Sequence, residues 1–189
     1  MHEAKESSLE QTRALNQFLA AIERRAFRMA ELATGSREDA LDLVQDAMLG
    51  LCKTYADRDE QEWAPLFYRI LQSRINDWYR RTKVRNRFRV WLGPGRSVDD
   101  PLDDPVQTAP DHNSPDMVEH LRQAGAMRAL QAALEGLPMR QRQVFMLRSW
   151  EGLNVADTAY AMGCSQGSVK THYSRAVHHL REVLGEHWP

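Results

Sequence analysis

Residues 153–184 read LNVADTAYAMGCSQGSVKTHYSRAVHHLREVL, and this stretch decides the fold. Val155 to Met162 has the length and apolar spacing of a short helix, with Val155, Ala156, Ala159 and Met162 expected inward. Gly163 stands where a helix closes through a left-handed residue, a conformation glycine tolerates best. Ser165 suits the cap of a second helix, its hydroxyl accepting from a first-turn N–H. That helix is expected to bury Val169, Tyr173, Ala176, Val177 and Leu180. Two short helices joined by a glycine-containing turn form a helix-turn-helix, whose second helix enters the major groove of duplex DNA. Its outward positions, Gln166, Lys170, Thr171, Ser174 and Arg175, are the candidate duplex-reading residues. Lys170 and Arg175 have the reach for phosphates or guanine edges, where a bidentate base contact is worth about 1–3 kcal/mol of discrimination. A plain helical hairpin with a charged face is the other reading; the agreement of cap, turn glycine and spacing favours the first.

Helical spacing extends through most of the chain. Leu15, Phe18, Leu19, Ile22, Ala26 and Met29 make one stripe; Leu41, Val44, Ala47, Met48 and Leu51 a second; Phe67, Ile70, Leu71, Ile75 and Trp78 a third. No stretch alternates by two, so the class is all-α. The pattern stops at Gly93–Met117, which holds five of the eight prolines and six aspartates. Proline fixes φ and removes a donor, so a helix is not expected there. Without an apolar stripe the segment cannot offset its ordering entropy. Two small helical domains are expected, at 1–92 and 123–189, joined by a flexible acidic linker at 93–122.

Of the 189 residues 42% are hydrophobic and 27% charged, the balance of a soluble globular chain. No apolar run has the roughly 18 residues that span a bilayer, and the polar N-terminus has no signal-peptide core. Membrane insertion is not expected, and a cytoplasmic location is. Cys52 and Cys164 fit no metal spacing, and a reducing compartment explains two lone thiols better than a disulfide does. His172, His178 and His179 have no cysteine or carboxylate at ligand spacing, so no metal is expected. The net charge of −1 conceals sharp segregation. Residues 74–92 carry seven basic side chains against Asp77 alone, whereas residues 93–122 carry seven acids against two bases. Segregation on this scale suggests surfaces for different partners.

The stretch ALQAALEGLPMRQRQVFMLRSWEGLNVADTAYAMGCSQGSVKTHYSRAVHHLREVL resembles region 4 of the bacterial sigma-70 family. Its marks are the LP…R…F.LR helix and the GCS.GSVK.H..RA…LR run. Independently, SREDALDLVQDAMLGLCK resembles region 2.2, and PLFYRILQSRINDWYRR regions 2.3–2.4. Both in order, with no room for a region 3 domain, resemble the extracytoplasmic-function (ECF) group. The resemblance covers roughly residues 12–184. It implies a transcription initiation factor that binds core RNA polymerase, at its β′ clamp helices and β flap, and promoter DNA. An anti-sigma protein is a further partner the family often has. No cofactor is implied.

By that resemblance Asp42, Gln45 and Asp46, at i, i+3, i+4, form the edge that docks on the clamp helices, although a merely solvated helix face would look the same in sequence. The resemblance assigns the basic stretch to the melted −10 strand. Arg74, Arg80, Arg81, Lys83, Arg85 and Arg87 would line the backbone, with Tyr79 and Phe88 as stacking surfaces worth about 1–3 kcal/mol per base. The family's Asp-then-Arg pair falls on Asp77 and Arg80. Where the family usually has Asn in this helix the chain has Ser73, and the loop expected at Ala56–Trp63, which in the family cradles a flipped base, is acidic. The twenty-eight residues 93–120 reach roughly 95 Å extended. That exceeds the ~70 Å separating sites two DNA turns apart. The resemblance has this linker mimic nucleic acid; a plain spacer fits the residues equally well. A dimeric helix-turn-helix repressor or activator is the alternative function. A DNA-processing enzyme lacks a metal-spaced carboxylate set, and no glycine-rich phosphate loop occurs.

Overall fold

The run Thr34–Asp39 both stops one helix and starts the next. Gly35 takes φ +67, and its N–H donates to Glu31 O at 2.8 Å, ending α1 (His2–Thr34). Ser36 then caps α2 (Arg37–Tyr55), accepting from Asp39 N at 3.2 Å, while Glu38 and Asp39 sit at the positive end of the helix dipole. This computed structural model describes residues 2–91 and 115–185, with side chains described over 9–82 and 125–185. The remaining elements are α3 (Glu60–Trp91), α4 (Pro115–Gly136), α5 (Met139–Phe145), a π-turn (Met146–Trp150), α6 (Val155–Met162) and α7 (Gln166–Leu184). No strand occurs among the described residues, so the all-α reading holds.

The first module is a three-helix bundle. Ile22, Ala26 and Met29 of α1, Val44, Ala47 and Leu51 of α2, and Phe67, Leu71 and Ile75 of α3 are buried together. The second stripe is rotated from its expected position. Leu41 is exposed, and Ala40, Leu43, Val44, Ala47 and Leu51 face the core. Each residue advances about 100° around a helix, so Leu41 and Leu43 cannot share a face, and the larger set wins. The loop expected at Ala56–Trp63 is also shorter. Helix α3 starts at Glu60, because Trp63 opens its buried stripe and packs on Phe18 at 5.7 Å between ring centroids.

The described part of the second module begins earlier than the proline pattern suggests. Helix α4 starts at Pro115, inside the segment assigned to the linker. Proline is well placed in the first turn of a helix, where its missing N–H would have no partner in any case. The rest of the expected linker lies outside the described residues. The helix-turn-helix forms as its local signals require. Asn154 caps α6 by accepting from Asp157 N at 2.8 Å, Gly163 adopts φ 60, ψ 43, and Ser165 caps α7 by accepting from Ser168 N at 3.1 Å. The N–H of Cys164 reaches Ala159 O at 3.1 Å, satisfying one of the last carbonyls of α6. One inward position is corrected: Ala156 is exposed, Val155 only half-buried, and Thr158 and Ala161 are buried instead. Thr158 can be buried because its hydroxyl donates to Asn154 O at 2.7 Å. In α7, Val169, Ala176 and Leu180 are buried and Tyr173 and Val177 half-buried, as the spacing requires.

The two modules touch. Helix α6 lies against α3, and α4 against α1. Nothing in the periodicity of either module announces this contact.

Candidate nucleic-acid interface

Helix α7 displays a polar row. Gln166, Lys170, Thr171, Ser174 and Arg175 are all exposed, while Val169, Ala176 and Leu180 hold the opposite side in the module's core. The row starts at the helix N-terminus, whose unpaired N–H groups and positive dipole end favour a phosphate. Gly167 lets that backbone approach closely: a Cβ there would meet only Ser165 Oγ, at 3.7 Å. Behind the row, Arg148 stands over the Tyr173 ring at 5.7 Å, and the Tyr173 hydroxyl shares a 2.9 Å hydrogen bond with Ser149. These contacts tie α7 to the preceding π-turn and fix its orientation.

On the first module, Asp42, Gln45 and Asp46 are exposed along the outer side of α2, as expected. Two apolar neighbours on the same side escape the sequence reading: Leu41 is 50% exposed and Leu49 48%. Positions 41, 45 and 49 are four apart, so the leucines bracket the polar edge on one face. A signal for them exists in the sequence: three leucines between 41 and 49 are more than a single core stripe can take.

The basic stretch continues α3 to Trp91. Arg74, Arg80 and Arg81 are exposed. Arg80 pairs with Asp77 one turn earlier, so that acid orients a guanidinium instead of standing alone. Tyr79 is not free as a stacking surface. It is half-buried, its hydroxyl donates to Ala33 O of α1 at 2.6 Å, and its ring meets Trp78 edge-on at 5.3 Å. Trp78 is half-buried as well. It lines a groove of ≈ 370 Å³ between α2 and α3, together with Asp39, Asp42, Asp46, Arg81 and Thr82. Two acids assigned to polymerase and one arginine assigned to DNA therefore share a groove. Lys83, Arg85, Arg87 and Phe88 extend the helix, with side chains outside the described set.

Glu151 is a further residue that carries no mark in the sequence. Its N–H bonds Met146 O at 3.0 Å, an i→i−5 step that widens the helix by one residue and shifts the phase of the chain leading into α6. Its side chain, 2% exposed, meets Arg25 Nε of α1 at 3.4 Å. Burial pushes its carboxyl above the ordinary carboxylate range, against the pull of the Tyr68 hydroxyl and the Arg25 guanidinium. Burial likewise raises the Tyr68 phenol, with the Glu151 charge adding to the effect. Among the described residues no three His, Cys, Asp or Glu side chains could hold a metal, and Cys52 and Cys164 are both free. No helix among them is long and apolar enough to cross a membrane.

A three-helix bundle with a basic exit helix, packed beside a helix-turn-helix with an exposed recognition row, defines a two-module DNA-binding protein. A family model for sigma-70 region 2 matches residues 15–85, and one for sigma-70 region 4 matches residues 127–180. The RNA polymerase sigma-E factor of Streptomyces antibioticus is 33% identical over 147 residues, 77% of this chain and 71% of that one. The ECF RNA polymerase sigma factor SigM of Mycobacterium tuberculosis is 28% identical over 91% of this chain and 78% of its own. SigE of Mycolicibacterium smegmatis is 28% identical over 86% of this chain, which spans 58% of that relative's length. Among solved structures, the sigma factor RpoE in complex with the anti-sigma factor NepR from Bartonella quintana superposes with a TM-score of 0.60 at 25% identity. That match covers 89% of this chain and 95% of the other. The chain belongs to the sigma-70 family, within its ECF group: the RNA polymerase sigma factors that direct promoter-specific transcription initiation.

Proposed function

We propose a division of labour among three surfaces. Helix α7 reads duplex −35 DNA through Gln166, Lys170, Thr171, Ser174 and Arg175. The outer face of α2, with Asp42, Gln45 and Asp46 bracketed by Leu41 and Leu49, docks on the β′ clamp helices of core polymerase, and the second module also meets the β flap. The exit of α3, through Arg74, Arg80, Arg81, Lys83, Arg85 and Arg87, grips the melted −10 strand, with Asp77 holding Arg80 in position. The factor works in the cytoplasm without catalysing a reaction. Binding energy for one strand shifts the duplex equilibrium toward opening. The complex of RpoE with an anti-sigma factor supports such a partner for this chain. In this scheme the −10 and core-binding module ends near residue 92, and the −35 module takes up the chain after the acidic segment.

The observation that carries the proposal is α7: a capped, core-anchored helix whose polar row is exposed along its length. The test mixes purified factor, core polymerase and DNA selected by the holoenzyme. Specific transcripts that depend on both modules are expected. Charge reversal, Lys170→Glu or Arg175→Glu, weakens −35 use and leaves core binding intact; loss of core binding instead would refute the division. Site-specific binding by a dimer of the factor alone would favour the repressor or activator alternative.

A further inference from the structure

Gln72 interrupts the apolar stripe of α3. It lies between Leu71 and Ile75 in the core and is 1% exposed. Gln143 of α5 is 6% exposed and just as out of place. Both residues line one small cavity of ≈ 10 Å³, together with Met29 of α1, Arg142 of α5 and Met146 of the π-turn. Glutamine has no place in such a setting unless both ends of its amide find partners.

Only one end of each does. Gln72 Nε2 donates to the Met29 sulfur at 3.1 Å, and Gln143 Nε2 donates to Asn76 Oδ1 at 3.2 Å. These contacts fix which way the amides face. Turning Gln143 over would set two carbonyl oxygens against each other, and turning Gln72 over would set its oxygen against the sulfur lone pairs. The two Oε1 atoms are therefore the free ends, and both are buried with no protein partner. Arg142 is in the same position. Its terminal nitrogens donate to Leu32 O, to Glu135 O at 2.8 Å and to Leu137 O at 3.3 Å, while its buried Nε has no protein acceptor.

We propose that this cavity is a binding site for a single internal water, which bridges α3 to α5. The unpaired set is two acceptors and one donor. A water answers it in full: its two O–H groups donate to Gln72 Oε1 and Gln143 Oε1, and its oxygen accepts from Arg142 Nε–H. Three hydrogen bonds are what a buried water usually makes, and the cavity has the room for one such molecule and for nothing larger. The other small occupants fit worse. The Arg142 guanidinium repels a cation, the two carbonyl oxygens repel an anion, and an apolar guest would leave all three atoms unpaired. The two glutamines thus act as one unit, since they hold the same ligand.

Two measurements on the full chain test this. A crystal structure that resolves ordered solvent should show one peak at hydrogen-bond distance, about 2.7–3.2 Å, from Gln72 Oε1, Gln143 Oε1 and Arg142 Nε together. In solution, the methyl protons of Met29 and Met146 should show nuclear Overhauser peaks to a long-lived water. Gln72→Met and Gln143→Met are near-isosteric replacements, and either one should erase both methyl signals. The melting temperature should fall in each single variant, and in the double variant no further than in the worse single one, because one shared ligand can be lost only once. A cavity without a solvent peak, glutamine amides found paired directly with each other, or methyl signals absent in the parent would overturn the proposal. So would falls in melting temperature that simply add. The crystal and the parent spectrum decide the matter even if a variant fails to fold.

Discussion

Lys170 and Arg175 can be neutralised together, and the size of the effect depends on their setting. Both are exposed on α7, and neither forms an ion pair with a described residue. Their side chains make no part of the buried set that anchors the helix. The double variant Lys170→Ala, Arg175→Ala therefore keeps its fold, and its deficit is a deficit toward DNA. Each phosphate neutralised by a protein cation contributes about −0.9 to the slope of log affinity against log salt. Removing two flattens that slope by about 1.8. Between about 50 and 200 mM salt the variant's affinity then falls about 12-fold less than the parent's. The assay is salt-titrated binding of reconstituted holoenzyme to a fluorescent promoter fragment, run beside a fragment with its −35 element scrambled. The flattening is expected on the intact fragment and is reduced on the scrambled one. An unchanged slope, or the same flattening on a fragment ending downstream of the −35 element, would refute the placement of α7 on duplex DNA.

Other expectations are narrower. Leu41→Ala with Leu49→Ala removes two half-exposed side chains that a partner would cover; at about 1 kcal/mol for each half-leucine newly buried, affinity for core polymerase drops roughly 30-fold. The melting temperature stays put, and calorimetry reads both. Gly163→Ala forces an alanine into the left-handed region at a site with no neighbouring atom within 4 Å. Backbone strain alone should destabilise the second module, by about 1–2 kcal/mol in thermal unfolding. Stability should depend on pH through Glu151, which faces Arg25 of α1 and Tyr68 of α3. Its carboxyl is raised in the folded chain, so its protonation favours folding. That contribution is complete below the ordinary carboxylate range and is lost as pH rises through the raised value. The melting temperature should fall as pH rises across that window, and Glu151→Gln should abolish that part of the dependence.

The helix-turn-helix is legible because every signal in it is local. Asn154, Gly163 and Ser165 act on backbone groups one to four residues away, so their roles survive without knowledge of the rest of the chain. The start of α4 is hidden among prolines that break helices elsewhere, although a proline in a first turn is compatible with a helix. The core register of α2 is ambiguous by one leucine. With apolar residues at 40, 41, 43, 44, 47, 48, 49 and 51, two overlapping stripes satisfy the same periodicity. Only packing against α1 and α3 selects between them. The acidic edge is visible in the spacing, whereas the leucines that flank it can be recognised as surface only once the core has been filled. Tyr79 looks like a stacking surface from its company of arginines; its hydroxyl bond to Ala33 O comes from α1, forty-six residues away.

By itself the sequence determined the helical class, the division into two modules, the caps and turn of the DNA-reading motif, and the concentration of positive charge along α3. All of these depend on residue type and on spacing within a few turns. The tertiary structure alone decided which leucines of α2 meet solvent, that Glu151 is buried, and that the two modules lie against each other. Those outcomes depend on groups distant along the chain competing for the same space. Arg25, Tyr68 and Glu151 carry no mark of their meeting, because a buried charge is stable only where a partner from another element offsets its desolvation.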